Sequence, residues 1–297
     1  MPILISGASG LLGSAIRPAL NAMGSSTSVL VRRPPTKNEI QWDPAQPLDP
    51  RKLAAFDAIV HLAGSNISGL WTKQFKREIR DSRVLGTRTL ATSAAESFRA
   101  TGMPRGLVAA SAIGYYGDRG DEVLTEQSTP GSGFLADVCQ QWEAATIPAT
   151  EAGIRVVNLR IGVVLTKHGG ALKAMLPAFR LGLGGPVGNG LQYWSWIAID
   201  DLVNVFLFAL SNEDLRGAVN AVAPNPARNA EFTHTLANVL YRPAVLPLPT
   251  FVFKTLFGEM GESLLFASAR VQPGKLTAAG YSFRHRDLYE ALRFTLA

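Results

Sequence analysis

The chain has 297 residues, 47% hydrophobic and 18% charged, with a formal net charge of +6. That balance suits one sizeable core or two smaller ones and excludes a disordered or fibrous chain. A single cysteine (Cys139) and four scattered histidines (His61, His168, His234, His285) exclude an internal disulfide and offer no metal-ligand spacing, so no metal site is expected.

Ile3-Leu4-Ile5 is a short apolar run ending in glycine-rich turn residues, and residues 11–23 then space their apolar side chains as a helix does. Strands are predicted over 28–31, 56–63, 106–111 and 155–160, with helical stretches over 72–99 and 134–152. Strands alternating with helices predict βαβ units, right-handed crossovers and an α/β fold with a doubly wound parallel sheet. The character changes after residue 165. Gly169-Gly170 and residues 181–186 are glycine-rich, Tyr193, Trp194 and Trp196 cluster, and Pro243, Pro247 and Pro249 interrupt later helical patterns. We read 1–165 with 196–226 as the sheet domain, and 166–195 with 227–297 as a smaller, mixed lobe. The opening residues enter a strand with no charged leader, and no apolar stretch is long enough for a bilayer. The expectation is a cytoplasmic protein with no membrane partner.

The first turn reads Gly7-Ala8-Ser9-Gly10-Leu11-Leu12-Gly13, a GxxGxxG between a strand and a helix. Glycines allow the tight turn and let backbone N–H groups approach a pyrophosphate at the positive end of the helix. The motif is weak alone, but here it opens an alternating α/β chain, the context of a Rossmann-type dinucleotide site. An NAD-preferring site places a carboxylate at the end of the second strand; this chain has Val31-Arg32-Arg33-Pro34. Two guanidinium groups there are either solvated charge or a grip for a 2′-phosphate, and their distance from the glycine turn favours NADP(H). The remaining arginines are dispersed, with no basic stripe for nucleic acid.

The GxxGxxG, His61-Leu62-Ala63-Gly64, Arg83-Val84-Leu85-Gly86-Thr87, Tyr116-Gly117, residues 125–130 and residues 196–202 together resemble the extended short-chain dehydrogenase/reductases. Enzymes of that family use a tyrosine as acid/base and a lysine four residues on, because a phenol is a poor base at neutral pH without a nearby positive charge. No tyrosine here has a lysine four positions later, and the family's two positions fall at Phe134 and Val138. The usual Ser/Thr position is Ala112, with Ser111 beside it. Tyr115 and Arg119 keep the spacing, but glycine and aspartate between them suggest a loop. These departures, with residues 42–44, 71–72, 114–117 and 177–186, are similar to the atypical "epimerase family protein" branch, sugar-nucleotide epimerase-like proteins that lack the pair. Ala198 departs from that branch, which often has histidine there.

The resemblance implies an NADP(H)-binding protein of undefined reaction. Cofactor contacts would be Gly7, Ser9, Gly10, Leu11, Leu12 and Gly13 at the turn, Arg32 and Arg33 at the adenosine phosphate, and Leu62, Ala63 and Gly64 in mid-groove. Glu78 and Arg83 would lie on a passing helix, where an exposed ion pair is the other reading, and Arg160 after a later strand. Ser111, Tyr115 and Tyr116 are the candidate catalytic groups. Tyr193, Trp194 and Trp196 either stack on a substrate or pack between lobes, and Cys139 is read as a small buried hydrophobe. Two functions follow: an oxidoreductase or epimerase-like enzyme acting on a sugar nucleotide or carbonyl compound, or a non-catalytic NADP(H) sensor. Either would be a monomer or homodimer.

Overall fold

The computed structural model describes residues 1–244 and 258–297; Pro247 and Pro249 of the sequence reading lie outside them. The chain runs β1 (Pro2–Ser6), α1 (Leu11–Ala22), β2 (Ser26–Val31), β3 (Glu39–Gln41), β4 (Ala58–His61) and α2 (Lys73–Thr101). It continues through β5 (Gly106–Ala112), β6 (Val123–Leu124), α3 (Phe134–Ala144), α4 (Ile147–Glu151), β7 (Arg155–Ile161), β8 (Val163–Leu165) and α5 (Gly170–Arg180). The last third holds β9 (Tyr193–Trp194), β10 (Trp196–Ala198), α6 (Ile199–Ser211), β11 (Gly217–Ala221), β12 (Ala227–Arg228) and α7 (Asn229–Leu240). After the second described stretch begins come β13 (Arg270–Val271), α8 (Gly274–Ala278) and α9 (Leu288–Leu296).

Seven strands form one parallel sheet in the order β11-β7-β5-β4-β1-β2-β3. Strand order reverses between β1 and β4, so the loops after these two strands diverge and leave a crevice at their carboxyl ends, where such sheets bind ligands. The strands read as continuous apolar runs because helices cover both faces. Ile3, Ile5, Val60, Val108, Val157 and Leu159 pack with Ile16 of α1 and Phe206 of α6 in the main core, which Leu276 and Phe283 also enter.

Local chemistry sets the helix limits. Thr72 caps α2 by accepting from the Phe75 N–H, and Gly102, at φ +74°, ends it in a left-handed conformation. The helix predicted over 134–152 is in fact two. Thr146 turns its hydroxyl back to the Glu143 carbonyl at 2.7 Å, and Pro148 near the start of α4 has no N–H to continue the ladder. The predicted strand over 56–63 shortens to β4, since Phe56 and Asp57 belong to the preceding turn and residues 62–64 to the loop after it.

A second cluster joins Leu172, Leu176, Phe179, Trp194, Trp196, Phe232, Leu236 and Leu292. Trp194 and Trp196 are therefore core residues; Trp196 donates to the Asn225 carbonyl and Trp194 meets Phe232 edge-on. Tyr193 is half-buried between the guanidinium groups of Arg228 and Arg270, 4.7 and 5.0 Å from its ring centre. At the head of α6, buried Asp201 accepts from the N–H groups of Arg284 and His285, tying that segment to α6. No helix among the described residues is long and apolar enough to cross a membrane.

Candidate functional site

The glycine turn is shaped by close backbone approach. Gly7 has φ +71°, and a Cβ there would stand 2.7 Å from the Leu62 carbonyl carbon and 2.8 Å from the Ala63 nitrogen. A Cβ on Gly13 would run into the Gly7 carbonyl oxygen and the Ala8 Cα. Gly10 differs: it is exposed, and its Cβ would meet only the Gly7 oxygen, at 3.3 Å. Its missing side chain keeps the approach to α1 open. Among the described residues no side chain caps α1 and no acidic residue lies in its first turn, so its amides and positive end at the carboxyl end of β1 remain available to an anion. Ser9 is exposed beside them. The Leu11 side chain leans instead on the turn before α5, where a Cβ on Gly169 would come within 3.0 Å of it, so its backbone rather than its side chain is offered at the turn.

The two arginines after β2 do not behave alike. Arg33 forms a two-pronged bond to Glu39, at 2.8 and 2.6 Å, and Thr36 adds its N–H and hydroxyl to the same carboxylate. Hydrogen bonds from Arg33, then Thr36, hold the Glu39 carboxyl down at about 2. Arg32 is exposed and has no partner among the described residues.

Beyond β4, Leu62 and Ala63 are half-buried and Gly64 is exposed. This loop is tied to α2: Ser65 N–H donates to the Ser82 hydroxyl, and Arg83 donates to the Ser65 and Ile79 carbonyls at 3.0 and 3.1 Å. Arg83 is half-buried, lies 5.2 Å from the Trp142 ring centre and stands against Gly64. It forms no ion pair with Glu78, which is exposed and contributes only its carbonyl to Ser65. His61, in β4, is fully enclosed between the Ser6 hydroxyl at 2.6 Å and the Thr87 hydroxyl at 2.9 Å. Burial lowers its pKa to about 4, so it is a neutral strut.

At the ends of β5 and β7, Ser111 and Arg160 are adjacent in register. Both bind Glu143: the Ser111 hydroxyl at 2.7 Å, Arg160 through two bonds of 2.8 Å. Arg160 also donates to the Tyr116 hydroxyl, which lies 2.7 Å from Asn220 Oδ1. Burial opposes the Arg160 charge, but Glu143 outweighs it and holds the guanidinium above its ordinary value; burial also raises the Tyr116 phenol. Arg160, expected at the cofactor, is instead 3% exposed and committed to the protein. Tyr115 stacks its ring 3.4 Å from the Arg160 guanidinium carbon, and its hydroxyl has no hydrogen-bond partner among the described residues. Arg119 turns away to Glu122 and the Thr129 carbonyl, so the Tyr115–Arg119 spacing makes no pair.

Phe134 packs edge-on against Trp71 with the Lys76 ammonium 4.5 Å from its ring centre, and Val138 is buried. Glu143, which binds both Ser111 and Arg160, is not among the candidate residues read from the sequence. A signal was available: an arginine inside the apolar strand 155–161 is costly to bury without a counter-charge or several acceptors.

Residues 3–221 match the NAD dependent epimerase/dehydratase family and residues 248–295 match DUF1731, a domain of unknown function. The chain is 41% identical over 295 residues to "Epimerase family protein Mb2239" of Mycobacterium bovis, covering 98% of this chain and 96% of that one. It is 36% identical over 302 residues to human "Epimerase family protein SDR39U1", covering 100% of both. The crystal structure of human SDR39U1 (isoform 2) with NADPH superposes with a TM-score of 0.89 at 34% identity, covering 99% of each chain.

Proposed function

Because the chain belongs to the NAD dependent epimerase/dehydratase family, we propose that it binds NADP(H) and is an atypical short-chain dehydrogenase/reductase acting on a carbonyl compound or sugar nucleotide. One observation carries this reading: an uncapped helix start, kept open by Gly10, follows β1 at the same end of the sheet where Arg32, without a partner among the described residues, follows the adjacent β2. The residues fit the cofactor. Amides of the 9–13 turn take the pyrophosphate, and Arg32 takes the 2′-phosphate, with Arg33 already shared with Glu39. Leu62, Ala63, Gly64 and Arg83 line the path towards α3. SDR39U1, similar over the whole chain, was crystallised with NADPH, which supports the same choice.

When bound, the nicotinamide supplies or accepts a hydride. Phe134 and Val138 exchange no proton. The Ser111 and Tyr116 hydroxyls are engaged by Glu143, Arg160 and Asn220, so they brace the ends of β5 and β7. Of the three candidates, Tyr115 alone has a hydroxyl without a partner among the described residues, and proton transfer falls to it, to the substrate or to water. The same loss of Tyr and Lys favours a second reading, a non-catalytic NADP(H) sensor. Stereospecific NADPH oxidation with a panel of carbonyl compounds and nucleotide sugars supports the enzyme; tight binding without turnover on all of them supports the sensor. We further propose a two-lobed monomer or homodimer in the cytoplasm, with Arg160 withdrawn from the cofactor contacts.

A further inference from the structure

Resting on that cofactor reading, we propose that Arg83 makes the groove selective for the reduced cofactor, NADPH, over NADP+. The two differ by one positive charge, carried on the oxidised nicotinamide ring. A guanidinium beside that ring therefore penalises the oxidised form and leaves the reduced form untouched.

Arg83 projects from α2 against Gly64 and the Ser65 carbonyl on one side, and over Trp142 of α3 on the other. The same α3 carries Phe134 and Val138, the positions that the family resemblance assigns to groups acting at the nicotinamide. The charge of Arg83 thus lies between the mid-groove loop and the helix expected to flank the reacting ring.

The charge also lacks compensation. Arg83 bonds only to neutral carbonyls, and no carboxylate lies within ion-pair distance of it among the described residues. The Cys139 thiol on α3 faces it, but burial raises that pKa to about 12, so the thiol stays neutral. Glu143, the next acid on α3, is held by Arg160 and Ser111. On α2 itself Asp81 pairs with Arg80, and Glu78 points to solvent. Glu259 of the second lobe pairs with Lys76. A guanidinium remains charged at any working pH, so its field is permanent.

Calorimetric titration of the full chain with NADPH and with NADP+ tests this, using wild type, Arg83→Met, Arg83→Gln and Arg83→Lys. Glutamine retains N–H donors for the carbonyls while removing the charge, and melting temperatures report whether each variant folds. The wild type is expected to bind NADPH at least about tenfold more tightly, as for unit charges several ångströms apart at a partly buried site. Arg83→Gln and Arg83→Met should shrink that ratio mainly by gaining affinity for NADP+, and Arg83→Lys should retain it. Equal wild-type affinities, or a ratio unmoved by Arg83→Gln, overturn the selectivity and leave the cofactor assignment standing. Binding of neither form overturns both.

Discussion

Arg32 and Arg33 are adjacent in sequence but in different electrostatic states, and mutation should separate them. Arg33 must leave Glu39 to meet a phosphate, whereas Arg32 is available as it stands. Arg32→Ala should weaken NADPH roughly ten- to a hundredfold, the range for losing charge-assisted bonds, with little change for NADH. Arg33→Ala should have a smaller effect, and titration of both cofactors against both variants checks the order. His61 makes a second residue-scale prediction. Its pKa is about 4 in the folded chain against an ordinary 6.5, so the unfolded chain binds the extra proton first as pH falls. Stability is therefore full above about pH 6.5 and declines towards pH 4, by about 3 kcal/mol in all. Glu39, held down at about 2 against an ordinary 4.5, adds an acid loss that sets in near pH 4.5 and runs towards pH 2, so it overlaps only the lower end of that window. Urea unfolding at pH 7, 6 and 5 should show the decline, and His61→Gln should flatten it.

Elements explain why the glycines of one motif are not equivalent. Gly13 supports packing of α1 on its own turn, so Gly13→Ala should lower the melting temperature and cofactor affinity together. Gly10 is exposed and its Cβ would meet only the Gly7 oxygen, at 3.3 Å, so Gly10→Leu should abolish cofactor binding while lowering the melting temperature of the apo chain less than Gly13→Ala does. A Gly10→Leu protein with wild-type affinity would remove the turn from the site. The joint between β5, β7 and α3 depends on Glu143. Glu143→Gln leaves Arg160, 3% exposed, without its counter-charge and should destabilise the chain by about 3–5 kcal/mol. Chemical denaturation measures this, and an unchanged midpoint would show that the pair bears no structural weight.

Across the whole molecule, the parallel sheet and the open turn were legible because both are written locally, in apolar runs and in glycines at fixed spacing. The absence of any tyrosine with a lysine four positions on is equally plain in the sequence. The roles of Arg160 and Glu143 were not, because 17 positions separate two side chains that only folding brings to 2.8 Å. Nor was the difference between Arg32 and Arg33, which depends on Glu39 lying on the neighbouring edge strand. Tyr193, Trp194 and Trp196 were ambiguous for a similar reason: an aromatic cluster reads alike whether it meets a ligand or, as Trp194 and Trp196 do, a core.

The glycine turn and Arg32 together fit a dinucleotide bearing a 2′-phosphate. The most direct measurement is calorimetric titration of the intact wild-type chain with NADPH and NADH side by side. Saturable binding with NADPH tighter by tenfold or more is the expected result. No heat from either, or equal affinity for both, contradicts it.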